Sequence, residues 1–251
     1  MPYGMYISAE GAQAQAKRME TLSNNLANVD TPGFKRDVAT FQARLTEAIQ
    51  RGLDQAGSGS INDIGGGVML AGIRTDHSPG ALKHTGSPTD FAIVGDGFFV
   101  IQSDREAYLS RAGNFKMTAA GQLVTQNGLA VLNDSGAPIL IDPELGPWQV
   151  ADNGAITQAG ATIHQLAVRT PASVDDLVKV GENLFRPRAA TELVPLTERT
   201  VRQGYLEGSA VSPTLEMMAL IETSRAFAAN TKLIQHQDHM ISTLISRVLG
   251  T

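Results

Sequence analysis

The side chains best placed for chemistry are His236 and His239, three residues apart with Asp238 between them. At that spacing two imidazoles share one helix face and could hold a metal ion. The spacing supplies no third ligand, so they read as helix surface. Asp90 and Asp96 could work as an acid–base pair, but both sit beside turn signals and read as turn or cap residues. Gly95-Asp96-Gly97 is a tight turn; no Gly-Lys-Ser/Thr follows to cradle a phosphate. Ser87, Ser103 and Ser110 lack a nucleophile-elbow pattern, and His77, His84 and His164 are dispersed. The chain has no cysteine, which excludes disulfides, thiolate zinc sites and cysteine nucleophiles. No catalytic, cofactor-binding or metal residue is assigned.

Composition narrows the classes further. Of 251 residues, 42% are hydrophobic and 18% charged, which suits one large domain or two modest ones. The net charge is −5 with Lys and Arg scattered. That pattern gives neither a basic stripe for nucleic acid nor a cluster for an anionic membrane. The most apolar stretch, Phe91 to Ile101, is broken by Gly95-Asp96-Gly97. It is too short to span a bilayer, which needs ~20 residues. Met1-Pro2-Tyr3-Gly4-Met5-Tyr6 shows no basic n-region before an apolar run. The expectation is a soluble chain that, if exported, leaves without a cleaved signal.

The elements that must carry any function lie at the two ends. Met5, Ala9, Ala12, Ala16, Met19, Ser23 and Leu26 step alternately by four and three, a heptad stripe widened by Tyr6, Leu22 and Val29. Thr31-Pro32-Gly33 stops that helix. Ser212-Pro213 opens a second one as N-cap and N1. In it Leu220, Phe227, Ile234, Ile241 and Val248 recur every seven residues. The companion positions are Met217, Ser224, Thr231, Asp238 and Ile245, so the seam is polar in its middle. At 1.5 Å per residue the lengths are ~55 Å against ~36 Å for the N-terminal helix, so the two cannot pair throughout.

The middle changes to period two and to turns. Asn127-Gly128 between β-prone flanks predicts a hairpin. Phe98-Phe99-Val100-Ile101, Ile139-Leu140-Ile141 and Gln165-Leu166-Ala167-Val168 read as strands. Residues 34–79 read as a connector. It opens with a possible helix (Val38, Phe41, Leu45, Ile49) and passes through a flexible Ala56-Gly57-Ser58-Gly59-Ser60 tract to Gly65-Gly66-Gly67. The expected fold class is α+β: terminal helices of residues 1–33 and 213–251 pairing as a coiled-coil-like assembly domain, and a central, mainly antiparallel β domain of residues 80–212.

An alanine-rich seam buries little apolar area, at ~25 cal/mol per Å², against ~1–2 kcal/mol of backbone entropy per ordered residue. Met218, Ile221, Ala228 and Leu244 lie off the seam. Two readings follow: helices that complete their packing on other chains, or a helical hairpin packed on the chain's own β domain.

Leu22-Ser23-Asn24-Asn25-Leu26-Ala27-Asn28-Val29-Asp30-Thr31-Pro32-Gly33-Phe34-Lys35 closely resembles the N-terminal signature of bacterial flagellar rod and hook proteins. Asp90 to Phe99, Tyr108 to Phe115, Gly121 to Val124, Gly204 to Ser209 and Ile221 to Phe227 resemble further segments of that family, in order. The resemblance implies a non-enzymatic axial subunit without cofactors, exported through the flagellar type III apparatus to the basal body in the periplasm. Its implied partners are copies of itself, neighbouring rod and hook proteins and the export apparatus, with no nucleic acid and no bilayer insertion. The implied subunit-interface residues are Met5, Ala9, Ala12, Ala16, Met19, Leu22, Asn24, Asn25, Leu26, Asn28, Phe34, Met217, Leu220, Ile221, Phe227, Ile234, Ile241 and Ile245. Charged loop residues Asp104, Arg105 and Arg111 are expected to face neighbours too. The chain is short for a hook subunit. Leu206-Glu207-Gly208-Ser209 before Pro213 resembles the proximal rod type, while the connector length resembles the distal type; the proximal assignment is preferred. The rival class is a secreted β-domain module, carbohydrate-binding or hydrolytic, with helical extensions.

Overall fold

The computed structural model describes residues 3–55, 57–60, 65–103 and 106–249. Two units emerge. One joins the terminal segments to residues 37–76; the other comprises residues 28–36 and 77–211.

In the first unit, α1 (Tyr3–Ala27) and α3 (Pro213–Leu249) pack along each other. Both sequences are free of internal proline, and the last turn of α3 carries Arg247, which suits the helix dipole. Between them, β1 (Asp37–Ala43) pairs antiparallel with β2 (Val68–Thr75), with a bulge between Thr40 and Phe41. The hairpin packs on α1. The predicted connector helix is thus a strand up to Ala43, and only α2 (Glu47–Gln50) is helical. Val38, Thr40 and Phe41 are β-prone, and pairing with a strand some thirty residues away outweighs the three-residue spacing of Val38 and Phe41. Arg44 and Gly66–Gly67 exchange backbone hydrogen bonds of 2.7 and 2.9 Å, which closes the base of the intervening loop.

The second unit is antiparallel β throughout. Its strands are β3 (Leu82–His84), β4 (Phe91–Val94), β5 (Phe98–Ser103), β6 (Glu106–Ser110), β7 (Lys116–Met117), β8 (Leu123–Val124) and β9 (Ala130–Val131). They continue with β10 (Trp148–Val150), β11 (Ala155–Gln158), β12 (Ala161–Gln165), β13 (Val168–Pro171), β14 (Leu177–Gly181), β15 (Leu184–Pro187), β16 (Thr191–Leu193), β17 (Thr200–Gln203) and β18 (Tyr205–Glu207). The largest sheet runs β14-β15-β6-β5-β9-β8-β7, with β13 pairing both β5 and β16. A separate β10-β11-β12 meander and the two-stranded pairs β4–β17 and β3–β18 complete the unit.

Strand β5 shows why this unit closes on itself. Phe99 and Ile101 enter one apolar cluster with Phe91, Phe115, Leu123, Ile139 and Ile156. Phe98 and Val100 point the other way, into a second cluster with Leu109, Leu132 and Phe185. Both faces of the strand are buried, as its unbroken apolar run predicts. The predicted hairpin stands between β8 and β9, with Gly128 at φ 86°. Ile139 and Ile141 are buried, but their stretch carries only isolated bridges at Pro138 and Leu140 rather than a strand, and the Gln165–Val168 run breaks at Leu166 between β12 and β13.

Candidate assembly interface

The terminal helices meet in one antiparallel register. A Cβ added to Gly4 would lie 2.8 Å from Gln237 Nε2, and one added to Gly11 would lie 3.2 Å from the Asn230 amide. Asn25 Nδ2 donates to Glu216 Oε2 at 3.4 Å. Seven residues up α1 correspond to seven down α3, and the next fourteen to fourteen, so one heptad seam links all three pairs. The face of α1 turned inwards therefore carries Gly4, Ser8, Gly11, Ala14, Thr21 and Asn25, of which Ser8, Ala14, Thr21 and Asn25 are buried. Small residues on α1 leave room for amides on α3.

The predicted stripe of α1 lies one residue round from this face. Ala9 is exposed, while Met5, Ala12, Ala16, Met19, Leu22 and Leu26 are half-buried. On α3 the predicted Leu220, Phe227, Ile234 and Ile241 are half-buried. Their companions on the seam are Glu216, Thr223, Asn230 and Gln237 instead of Met217, Ser224, Thr231 and Asp238. Met217, Ile221 and Ile245 are exposed, as is Asn24. The seam hydroxyls bond inside their own helices: Thr21 Oγ1 donates to Lys17 O at 3.1 Å and Thr223 Oγ1 to Ala219 O at 2.6 Å. Oε1 of Gln237 is buried without a hydrogen-bond partner.

Two predicted interface residues are occupied within the chain. Asn25 is 1% exposed. Its amide donates to Asp37 O at 2.8 Å and accepts from Asp37 N at 2.9 Å, which ties the end of α1 to the start of β1. Phe34 is buried as well, beneath Lys179, whose ammonium sits 4.1 Å from the ring centroid. Neither has surface to offer a neighbour. The half-buried Asn28 accepts from Thr31 Oγ1 at 3.1 Å, closing the turn after α1.

The chain exit after Phe34 is fixed by a buried charge cluster that sequence reasoning missed. Glu207 Oε1 accepts from Lys35 Nζ at 2.6 Å and from Gly80 N at 3.0 Å. Its Oε2 accepts from Arg111 Nη1 at 3.2 Å. Arg111 also donates to Ile93 O and Gly95 O and lies over the Phe98 ring. Burial lowers the Arg111 pKa from its ordinary value, and the Glu207 carboxylate opposes that shift. Arg111 is therefore an internal residue, not a surface charge facing neighbours; Asp104 and Arg105 lie outside the described residues. Gly33 permits the arrangement. At φ +67° its missing Cβ would stand 2.4 Å from the Arg111 carbonyl carbon, so any side chain there would displace the backbone that follows β6. Lys35 and Glu207 are 172 residues apart, beyond the reach of any local pattern.

At the base of the hairpin loop, Arg44 Nη1 donates to Tyr6 Oη at 2.7 Å and to Glu10 Oε1 at 2.5 Å. The Glu10 hydrogen bond raises the Tyr6 pKa above its ordinary value, and partial burial adds to it. This cluster has the form of a structural clasp.

Known proteins match the chain along its length. Residues 5–35 match the family described as "Flagella basal body rod protein", residues 92–158 the "Flagellar hook protein FlgE/F/G D1 domain", and residues 202–247 the "Flagellar basal body rod FlgEFG protein C-terminal". The flagellar basal-body rod protein FlgF of Caulobacter vibrioides is 31% identical over 251 residues, covering 99% of this chain and 98% of the relative. FlgF of Rhizobium meliloti is 32% identical over the full length of both chains. The flagellar basal-body rod protein FlgG of Bacillus subtilis is 30% identical, covering 96% of this chain and 97% of the relative. With helices paired at its ends, a β body between them and matches at that level from end to end, this chain belongs to the family of flagellar basal-body rod proteins.

Proposed function

We propose that the chain is a non-enzymatic structural subunit of the flagellar basal-body rod, which polymerises through its terminal helices into the drive shaft. It acts in the basal body, beside copies of itself and neighbouring rod and hook proteins, after passage through the flagellar export apparatus. The proximal part of the rod is the favoured position, on the sequence grounds given above. One observation carries the reading. The β unit gathers Phe91, Phe99, Ile101, Leu123, Ile139 and Ile156 in its own core and leaves other apolar residues, such as Leu82, Leu140 and Leu145, exposed on separate strands and turns, whereas the single helix α3 exposes Leu215, Met217, Met218, Ile221, Met240, Leu244, Ile245 and Val248. Among the described residues no helix is long and apolar enough to cross a membrane, so these side chains do not form a membrane span. Apolar surface of that extent on a helix is the mark of a partner. The proposed interface is the outer face of the helical pair: Met217, Ile221, Ile245 and Asn24, flanked by the half-buried Met5, Met19 and Leu26.

The test is Ile221→Glu combined with Leu244→Glu in the full chain. Both positions are exposed, so the purified chain keeps its helix content by circular dichroism, while cells carrying it lose rod assembly and motility. Motile cells with intact basal bodies would rule the reading out, as would the same result after deletion of residues 1–28.

A further inference from the structure

The apolar pattern of α3 does not end where α1 does. In the register above, Tyr3 of α1 stands opposite residue 238, and residues 239–249 extend beyond it by about 16 Å. Ile241, Leu244, Ile245 and Val248 recur there at i, i+3, i+4 and i+7, one continuous stripe. Leu244 and Val248 are each 65% exposed. The stretch holds a single full charge, Arg247, and no acid. Helical stability in proteins comes mostly from packing of such an apolar face.

The start of the same helix carries a second apolar surface. Leu215, Met218 and Ile221 are spaced three apart and exposed at 62%, 63% and 53%. The seam to α1 runs through Glu216, Leu220 and Thr223, so these side chains lie on the side of α3 turned away from it and stay uncovered. Glu222, also exposed, adjoins Ile221.

Resting on the rod reading above, we infer that the C-terminal end of α3 docks on the Leu215–Met218–Ile221 surface of a second copy of this chain. With the two helices parallel and Leu244 beside Met218, Arg247 falls next to Ile221 and Glu222, so the one cation of the overhang meets an acid. The stripe is continuous with the seam that already holds α1 and α3 together, so one helix serves both contacts. The two surfaces differ and lie at opposite ends of α3. Such a contact is heterologous and propagates instead of closing a two-fold dimer. It sets successive copies about 40 Å apart along the helix axis.

The chain has no cysteine, so introduced thiols report contacts directly. Met218→Cys and Leu244→Cys are combined in the full chain, expressed in flagellated cells, and oxidised in isolated basal bodies. Disulfide-linked multimers beyond the dimer are expected from the double variant and from neither single variant. Gly11→Cys with Asn230→Cys serves as the control and cross-links within one chain. If the chain is in the basal body and the control cross-links but the double variant yields no multimers, the docking is wrong and the rod reading stands. Dimers from Leu244→Cys alone would show overhang packed on overhang, and mixed disulfides with a different axial protein would show another partner; either overturns the inference. Absence of the chain from basal bodies overturns the rod reading and the docking together.

Discussion

The β unit and the helical unit solve the burial problem in opposite ways. In the β unit, β5 alone feeds two apolar clusters, and the buried charges pair inside the unit, Lys35 and Arg111 with Glu207 and Arg199 with Asp134. In the helical unit glycine, alanine, hydroxyls and amides share the seam with the half-buried Leu220, Phe227 and Ile234, and much of the large apolar area lies outside. The β unit carries a large core of its own. The helical unit keeps hydroxyls and amides inside and leaves large apolar side chains outside, an arrangement that favours a partner over a self-contained fold.

That contrast can be broken by single substitutions, because the two units report separately. Trp148, the only tryptophan, packs against Phe91 in the β unit, while far-ultraviolet circular dichroism at 222 nm follows the helices. The largest effect is expected from Glu207→Ala. It leaves Lys35 and Arg111 buried without their shared carboxylate, a loss of about 3–5 kcal/mol. The Trp148 transition should move to markedly lower urea; an unchanged midpoint would mean that the cluster contributes nothing. Asn25→Ala strips both hydrogen bonds from the Asp37 backbone and should cost about 1–3 kcal/mol, seen at 222 nm with little change in Trp148 fluorescence. Equal shifts in both probes would show that the units unfold together and that the contrast has no thermodynamic counterpart. The smallest effect runs the other way. Gln237→Leu removes a buried amide oxygen without a partner beside Gly4 and should stabilise the helical pair by about 1 kcal/mol. Destabilisation instead would show that the amide is held by contacts which leucine cannot replace.

Much of this was legible in the residues. Both terminal helices, the Phe98–Ile101 strand and the Asn127-Gly128 turn follow from periodicity and turn chemistry. The inward face of α1 did not, and the reason is specific. Where one helix presents Gly4, Ser8 and Gly11 to amides, apolarity no longer marks the buried side, and the alanine stripe one residue round has the stronger pattern. Strands β1 and β2 escaped for another reason: their pairing spans a long loop, and β2 does not alternate. The Lys35–Glu207–Arg111 cluster draws on three distant segments and leaves no local trace beyond the Leu206-Glu207-Gly208-Ser209 motif itself.

The pairing of α1 with α3 also has a consequence in time. Asn25 and Glu216 are 191 residues apart, so α1, the first helix made, has no seam until the last stretch of chain arrives. Closure over so long a loop is slow and entropically costly. The β unit has local hairpins that can form early, such as β5–β6, β11–β12 and β14–β15, though its closing pairs β4–β17 and β3–β18 also wait for residues 200–207. A chain threaded end-on through a narrow channel would thus emerge with its adhesive surfaces unassembled and would complete them only on reaching its destination.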